Sequence, residues 1–282
     1  MTSAVNPYEG DRDGASTSVP IPGKAWALVL GAALIAGAGG YLAGQQTGTT
    51  SFALATGGQV VAGTDTAGPT MLDDALYDAT IYGPGGTLTG SNDITAIHRR
   101  DAADPFAIGA LDAPVVISEF SDTECPFCAR YTTDTEAQII EKYVGTGLVR
   151  IEWNDMPING EHADAGAKAI RAAAEQGKFH EFKTELYANH PTAGGHPEFT
   201  IDDYVRFAET AGVSDLNLFR AHATDDSFTA SVEAARSYGQ QIGITGTPSF
   251  LVGTQFISGA QPFENFDRAI LGELAVLGAE QG

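Results

Sequence analysis

The sequence predicts an α/β domain with a block of helices set between its strands. Three observations predict it. Pro114-Val115-Val116-Ile117-Ser118-Glu119-Phe120 is an apolar run of strand length, and the residues that follow, 126 to about 143, read as a helix. A second apolar run, with Leu148, Val149, Ile151 and Trp153, reads as a strand parallel to the first through a right-handed crossover. From about 161 to 243 the apolar spacing changes to helical periods, and the chain then returns to strands.

In chain order, residues 1–24 are polar and rich in Pro, Gly, Ser and Asp, which predicts a disordered tail on the cytoplasmic side. Residues 25–44 are twenty residues without a charge, long enough to cross a bilayer as a helix. Lys24 stands at the front edge of that run and no Lys or Arg follows until Arg99, which places the rest of the chain outside the cytoplasm. A cleaved signal peptide is the competing reading and exports the same remainder; a soluble core helix would need a polar face that the run lacks. Residues 45–95 are Gly- and Thr-rich and read as a linker, with Val60-Val61 and 71–82 as short elements able to pack on the domain. The domain itself is 96–282, entered through the polar His98-Arg99-Arg100.

Within the helical block, 162–176 is Ala-rich, and Phe179, Phe182, Leu186 and Tyr187 recur at helical spacing. Thr200 with Asp203 three residues on reads as a helix cap. Ser214 is expected to cap a short helix to about 223, and 226–241 a longer one. Residues 249–252 and 255–258 form a hairpin over Gly253-Thr254, and Gln261-Pro262-Phe263 opens a last helix that ends near 278.

A net charge of −21, from 15 basic and 36 acidic residues, excludes a nucleic-acid partner, which needs clustered Lys and Arg. The acidity itself reads as solubility. The two cysteines of the chain both lie in Cys125-Pro126-Phe127-Cys128. A secreted scaffold stapled by disulfides would have more, so the pair reads as a tool. Cys125 falls at the tip of the predicted helix, where N–H groups and the macrodipole favour a thiolate, and it is expected to be exposed; Cys128 lies one turn in. Pro126 suits the first helical position. Zinc is the rival reading, yet none of the six histidines stands at short ligand spacing from the pair. Glu119 shares a strand face with Val115 and Ile117, and a carboxylate buried there would have a raised pKa. Asp122 is the alternate acid. Glu124, directly before Cys125, would oppose a thiolate if its carboxylate is close.

Strand, Cys-x-x-Cys helix, Glu119 six residues upstream and a distant Thr247-Pro248 opening a strand together resemble the thioredoxin superfamily in its DsbA-like branch, over roughly 101–278. The resemblance implies a thioredoxin-like α/β fold with an inserted helical subdomain at about 161–243. It implies Cys125 as nucleophile, Cys128 as resolving thiol, Glu119 as proton relay and Pro248 as a cis-proline facing the pair. Pro126, Phe127 and Thr247 are implied to meet substrate. Together with the single-pass anchor and export read from residues 25–44, it implies an extracytoplasmic protein that oxidises cysteine pairs in exported proteins, with no cofactor beyond the Cys125–Cys128 disulfide and with a redox partner that resets it. The most oxidising relatives have His where this chain has Phe127, which puts extreme oxidising power in doubt. A reductase or isomerase of the same fold, and a non-catalytic membrane-tethered binding module, are the alternatives.

Overall fold

The structure, a computed structural model, describes residues 50–54, 59–84 and 94–280. The tail expected at 1–24 and the helix expected at 25–44 lie outside the described residues. Among the described residues, no helix is long and apolar enough to cross a membrane.

Five strands form one sheet in the order β3-β5-β4-β6-β7. They are β3 (Ala107–Ile108), β4 (Val115–Ser121), β5 (Val149–Asp155), β6 (Ser249–Val252) and β7 (Gln255–Ser258). β4 is central. It pairs parallel with β5, Ile117 opposite Ile151, and antiparallel with β6, Glu119 opposite Phe250. All seven residues of β4 are buried, as a strand covered on both faces must be. One face packs Val115 and Ile117 with Val149, Tyr131, Phe250 and Phe266. Phe120, on the other face, packs with Met156, Tyr238 and Ile244.

Helix α1 follows β4 directly. It begins as Pro126–Arg130, widens to π-helical turns at Tyr131–Glu136, narrows at Ala137–Ile139 and widens again at Ile140–Val144. The insertion consists of α2 (Glu161–Ala174), α3 (Phe179–Ala188), α4 (Ile201–Ala211), α5 (Leu216–Thr224) and α6 (Thr229–Gln241). Thr200 and Asp203 close the expected capping box on α4. The cap of α5 is Asp215 instead of Ser214. The Asp215 carboxylate accepts the N–H groups of Asn217 and Leu218, while the Ser214 hydroxyl turns to Gln176. The last helix, α7, is Phe263–Glu280.

Residues 59–84, inside the expected linker, are held on the domain in part, in keeping with the short elements read at Val60-Val61 and 71–82. β1 (Ser51–Ala53) pairs with β2 (Gln59–Val61), and Val60, Ala62 and Ala79 are buried. Arg171 of α2 donates to the carbonyls of Ala79 and Ile81, which fixes this stretch. The expected polar entry is also buried at its core. The Arg99 guanidinium pairs with Asp104 at 2.7 Å and donates to Trp153 O and Asn154 Oδ1, and its N–H meets Glu152. Charged residues satisfied this fully can be buried at the margin of a sheet.

Candidate active site

Cys125 is the cap residue at the N-terminus of α1, with extended backbone (φ −79°, ψ 119°), and Pro126 takes the first helical position. The Cys125 carbonyl accepts from Cys128 N at 3.0 Å and Ala129 N at 3.1 Å. Both cysteines are free thiols in this structure. Cys125 is 6% exposed and Cys128 fully buried, so Cys125 is less open than its place at a helix tip suggests. Distant chain covers it: the thiol donates to the Thr247 carbonyl at 3.3 Å, and the Thr247–Pro248 peptide is cis. The 52% exposed side chain beside the pair is Phe127, with the Arg130 guanidinium 5.0 Å over its ring.

The two sulfurs are electrostatically unequal. The neighbouring Cys128 thiol, Thr247 and the N–H groups of Cys128 and Phe127 outweigh burial and pull Cys125 down to about 6. Burial, then Cys125 itself, pushes Cys128 well above the usual thiol range, although the N–H of Asp122 points at its sulfur from 3.5 Å. These influences favour the thiolate at the first sulfur and the protonated thiol at the second.

Glu119 is fully buried. Its Oε1 accepts from the Ser121 hydroxyl at 2.6 Å, and Ser121 also reaches Cys128. Burial pushes Glu119 up to about 7 against the opposing pull of Lys183. Lys183, on α3, also meets Glu136 of α1 at 2.5 Å and lies 5.1 Å over the Trp153 ring. Burial alone would lower Lys183, but Glu119 and Glu136 hold it above the usual lysine range.

Asp122 anchors the turn into the cysteines. Its carboxylate accepts from the backbone of Glu124, Ile158 and Asn159 at 2.7–3.0 Å, and from the Asn159 side chain at 2.8 Å. Those bonds give it a structural task distinct from that of Glu119. The Glu124 carboxylate accepts from Glu198 N at 3.0 Å, and burial raises its pKa. Among the described residues, no three His, Cys, Asp or Glu side chains gather as a metal-holding group.

The structure thus brings Cys125, Cys128 and Thr247 together, with Glu119 linked to Cys128 through Ser121. Sequence reasoning misses Lys183, Glu136, Tyr187, His190 and His196. For Lys183 a signal exists, because it falls on the same helical stripe as Phe179, Phe182, Leu186 and Tyr187. A lysine on an apolar face needs a buried partner.

A thiol pulled down in pKa lies beside a buried thiol pushed up, on a five-stranded sheet with a helical insertion. The family described as "Thioredoxin" matches residues 101–271, more than half of the chain, and that described as "DsbA, N-terminal domain" matches residues 37–97. The chain belongs to the thioredoxin superfamily, in its DsbA-like branch. It is 29% identical over 175 residues to the probable disulfide bond formation protein D of Bacillus cereus, covering 60% of this chain and 78% of that protein. It is also 30% identical over 169 residues to the Na(+)/H(+) antiporter NhaA 3 of Salinispora tropica. That match covers 59% of this chain but 24% of the antiporter, so the chain spans about a quarter of that relative's length. Two solved structures share the fold. BdbD from Bacillus subtilis in its oxidised form aligns with a TM-score of 0.57 at 22% identity, covering 60% of this chain and 92% of that one. The DsbA of Chlamydia trachomatis aligns with 0.54 at 21% identity, covering 62% and 93%.

Proposed function

We propose that this protein oxidises cysteine pairs in exported proteins on the extracytoplasmic side of the cell membrane, anchored by residues 25–44. The observation that carries the reading is the inequality of the two sulfurs. Stabilising the Cys125 thiolate stabilises the reduced pair, which makes the disulfide an oxidant.

In the reaction a substrate thiolate attacks the Cys125 sulfur of the disulfide. The Cys125–Cys128 bond breaks and Cys128 leaves. Its high proton affinity requires a proton at once, and Glu119 supplies it through the Ser121 hydroxyl. A second substrate thiolate then attacks the substrate sulfur of the mixed disulfide, and Cys125 leaves as a thiolate. The substrate loses two electrons, the pair gains two, and a redox partner removes them to close the cycle. Pro126, Phe127 and Thr247 frame the sulfur and are the groups a bound substrate meets. The name of the Bacillus cereus relative, a disulfide bond formation protein, supports the direction of the reaction.

Equilibrating the full chain with glutathione tests this. An oxidase should lie well above the roughly −270 mV of a thioredoxin reductant, and, with Phe127 between the cysteines, below the roughly −120 mV of the strongest oxidants. A value at the reducing end would overturn the oxidase reading and leave a reductase. For the location, protease added to intact cells should digest the Cys125 domain while the domain stays with the membrane fraction. A protected domain would refute export, and a released one would refute the anchor.

A further inference from the structure

The carbonyl oxygens of Asp122, Thr123 and Glu124, the three residues leading into Cys125, are each met by a side chain from the same stretch of the insertion. Tyr187 Oη donates to Asp122 O at 3.0 Å, His190 Nε2 to Thr123 O at 2.8 Å and His196 Nδ1 to Glu124 O at 3.0 Å. A carbonyl oxygen only accepts, so each histidine must carry its proton on the named nitrogen. The same loop gives a fourth bond, from Glu198 N to Glu124 Oε2. Glu198 holds φ +50° to make it, a left-handed conformation unfavourable for a residue with a side chain. Gly194 and Gly195, at φ +80° and +102°, turn the chain between the two histidines.

We propose that His190 and His196 are positioning residues for thiol–disulfide exchange, their N–H groups fixing the turn that seats Cys125 at the N-terminus of α1. The proposal rests on the oxidoreductase reading above. Its physical basis is local. The N–H groups of Phe127 and Cys128 stabilise the Cys125 thiolate only while Cys125 keeps its cap geometry. Cys125 enters that geometry through a single turn bond, Cys125 N to Asp122 O at 3.1 Å. A turn with free carbonyls could rotate one of them toward the sulfur, where its negative end would oppose the thiolate. Donors on all three carbonyls hold those negative ends away. His190 is itself fixed: its ring packs 5.3 Å from Tyr187 and 5.7 Å from Phe199. Its Nδ1 is buried without a hydrogen-bond partner among the described residues, and burial pulls its pKa down to about 4, so it acts as a neutral donor through Nε2.

The test exploits the difference between the two nitrogens. A glutamine amide nitrogen falls near the ε position of histidine, and an asparagine amide nitrogen near the δ position. In the full chain, His190→Ala and His196→Ala should each slow alkylation of Cys125 at pH 5, below its titration midpoint, by roughly three- to tenfold, the range expected for one neutral hydrogen bond. The equilibrium with glutathione should shift toward the disulfide by a similar factor. The matched amides, His190→Gln and His196→Asn, should restore both values to within about twofold. Should an alanine variant not fold, the mismatched amides His190→Asn and His196→Gln replace it and should show the deficit. Wild-type values in the alanine variants, or equal deficits in matched and mismatched amides, would overturn the proposal. Failure of the parent reading looks different: the unmodified chain would not exchange with glutathione at all, while its Cys125 alkylation would still report on the two histidines.

Discussion

Lys183 Nζ lies 3.4 Å from Glu119 Oε2, joining residues 64 positions apart, with both side chains buried. Its 2.5 Å contact with Glu136 leaves one buried cation between two buried acids. Replacing Lys183 with Met would strand both acids, which typically costs about 3–5 kcal/mol for a broken buried pair. Urea unfolding at pH 8 should show a loss of that order. The loss should shrink at pH 5, where Glu119, pushed up to about 7, takes a proton and ceases to need a partner.

The same residue sets a pH dependence in the unmodified protein. Glu119 rises from 4.5 to about 7 on folding, so between those values the folded chain binds more protons than the unfolded one. Stability therefore falls, through this group, as pH rises across the window. Glu119→Gln removes the titration, and unfolding curves collected from pH 4 to 8 should flatten relative to the unmodified chain. Parallel curves would show that Glu119 is ionised throughout.

For Cys125 the sign is reversed. Its pKa falls from 9 to about 6, so the reduced protein gains stability from this group as pH rises through the interval and loses it as pH falls through about 6. The rate of Cys125 alkylation should follow a titration with its midpoint near 6. A midpoint above 8 would mean that the helix tip does not activate the sulfur.

If Cys125 attacks and Cys128 resolves, Cys128→Ser should accumulate covalent complexes with substrate proteins, separable on non-reducing gels, and Cys125→Ser should accumulate few. Equal accumulation would make the two sulfurs interchangeable, against their difference in burial.

A distant glycine should also matter. A methyl group at Gly166 on α2 would collide with the Thr123 side chain and approach the Tyr204 hydroxyl at 3.0 Å. Because Thr123 belongs to the turn held by His190, Gly166→Ala should destabilise by about 1–3 kcal/mol, as overpacking does. It should also slow Cys125 alkylation. Normal reactivity in a destabilised protein would uncouple α2 from the turn.

The strand–helix–strand unit around Cys125 is legible in the sequence because apolar runs of strand length are bounded by turn residues, and because Pro126 marks a helix start. The capping box at Thr200 and Asp203 is legible for the same local reason. The charged network is not. Glu119, Glu136 and Lys183 come from three elements, and only the tertiary fold brings them together. Arg99 is misleading in another way: its composition suggests solvent, and its burial depends on acceptors from Asp104, Trp153 and Asn154 that no local pattern displays. His190 and His196 look like loop residues until their acceptors are known.

The acid of β4 and the cation of α3 make a compound unit out of two stretches that look separable. Moving Cys-Pro-Phe-Cys with its strand onto a smaller scaffold lacking residues 161–243 would transplant both sulfurs and Glu119. It would leave behind the ammonium that makes a charge in that place tolerable. Chimeras between relatives should therefore succeed when β4 and α3 come from the same parent and fail when they are drawn from different ones, whatever the identity of the residues between the cysteines. Inheritance at this site is of a matched pair of segments, and the four-residue motif is only its visible half.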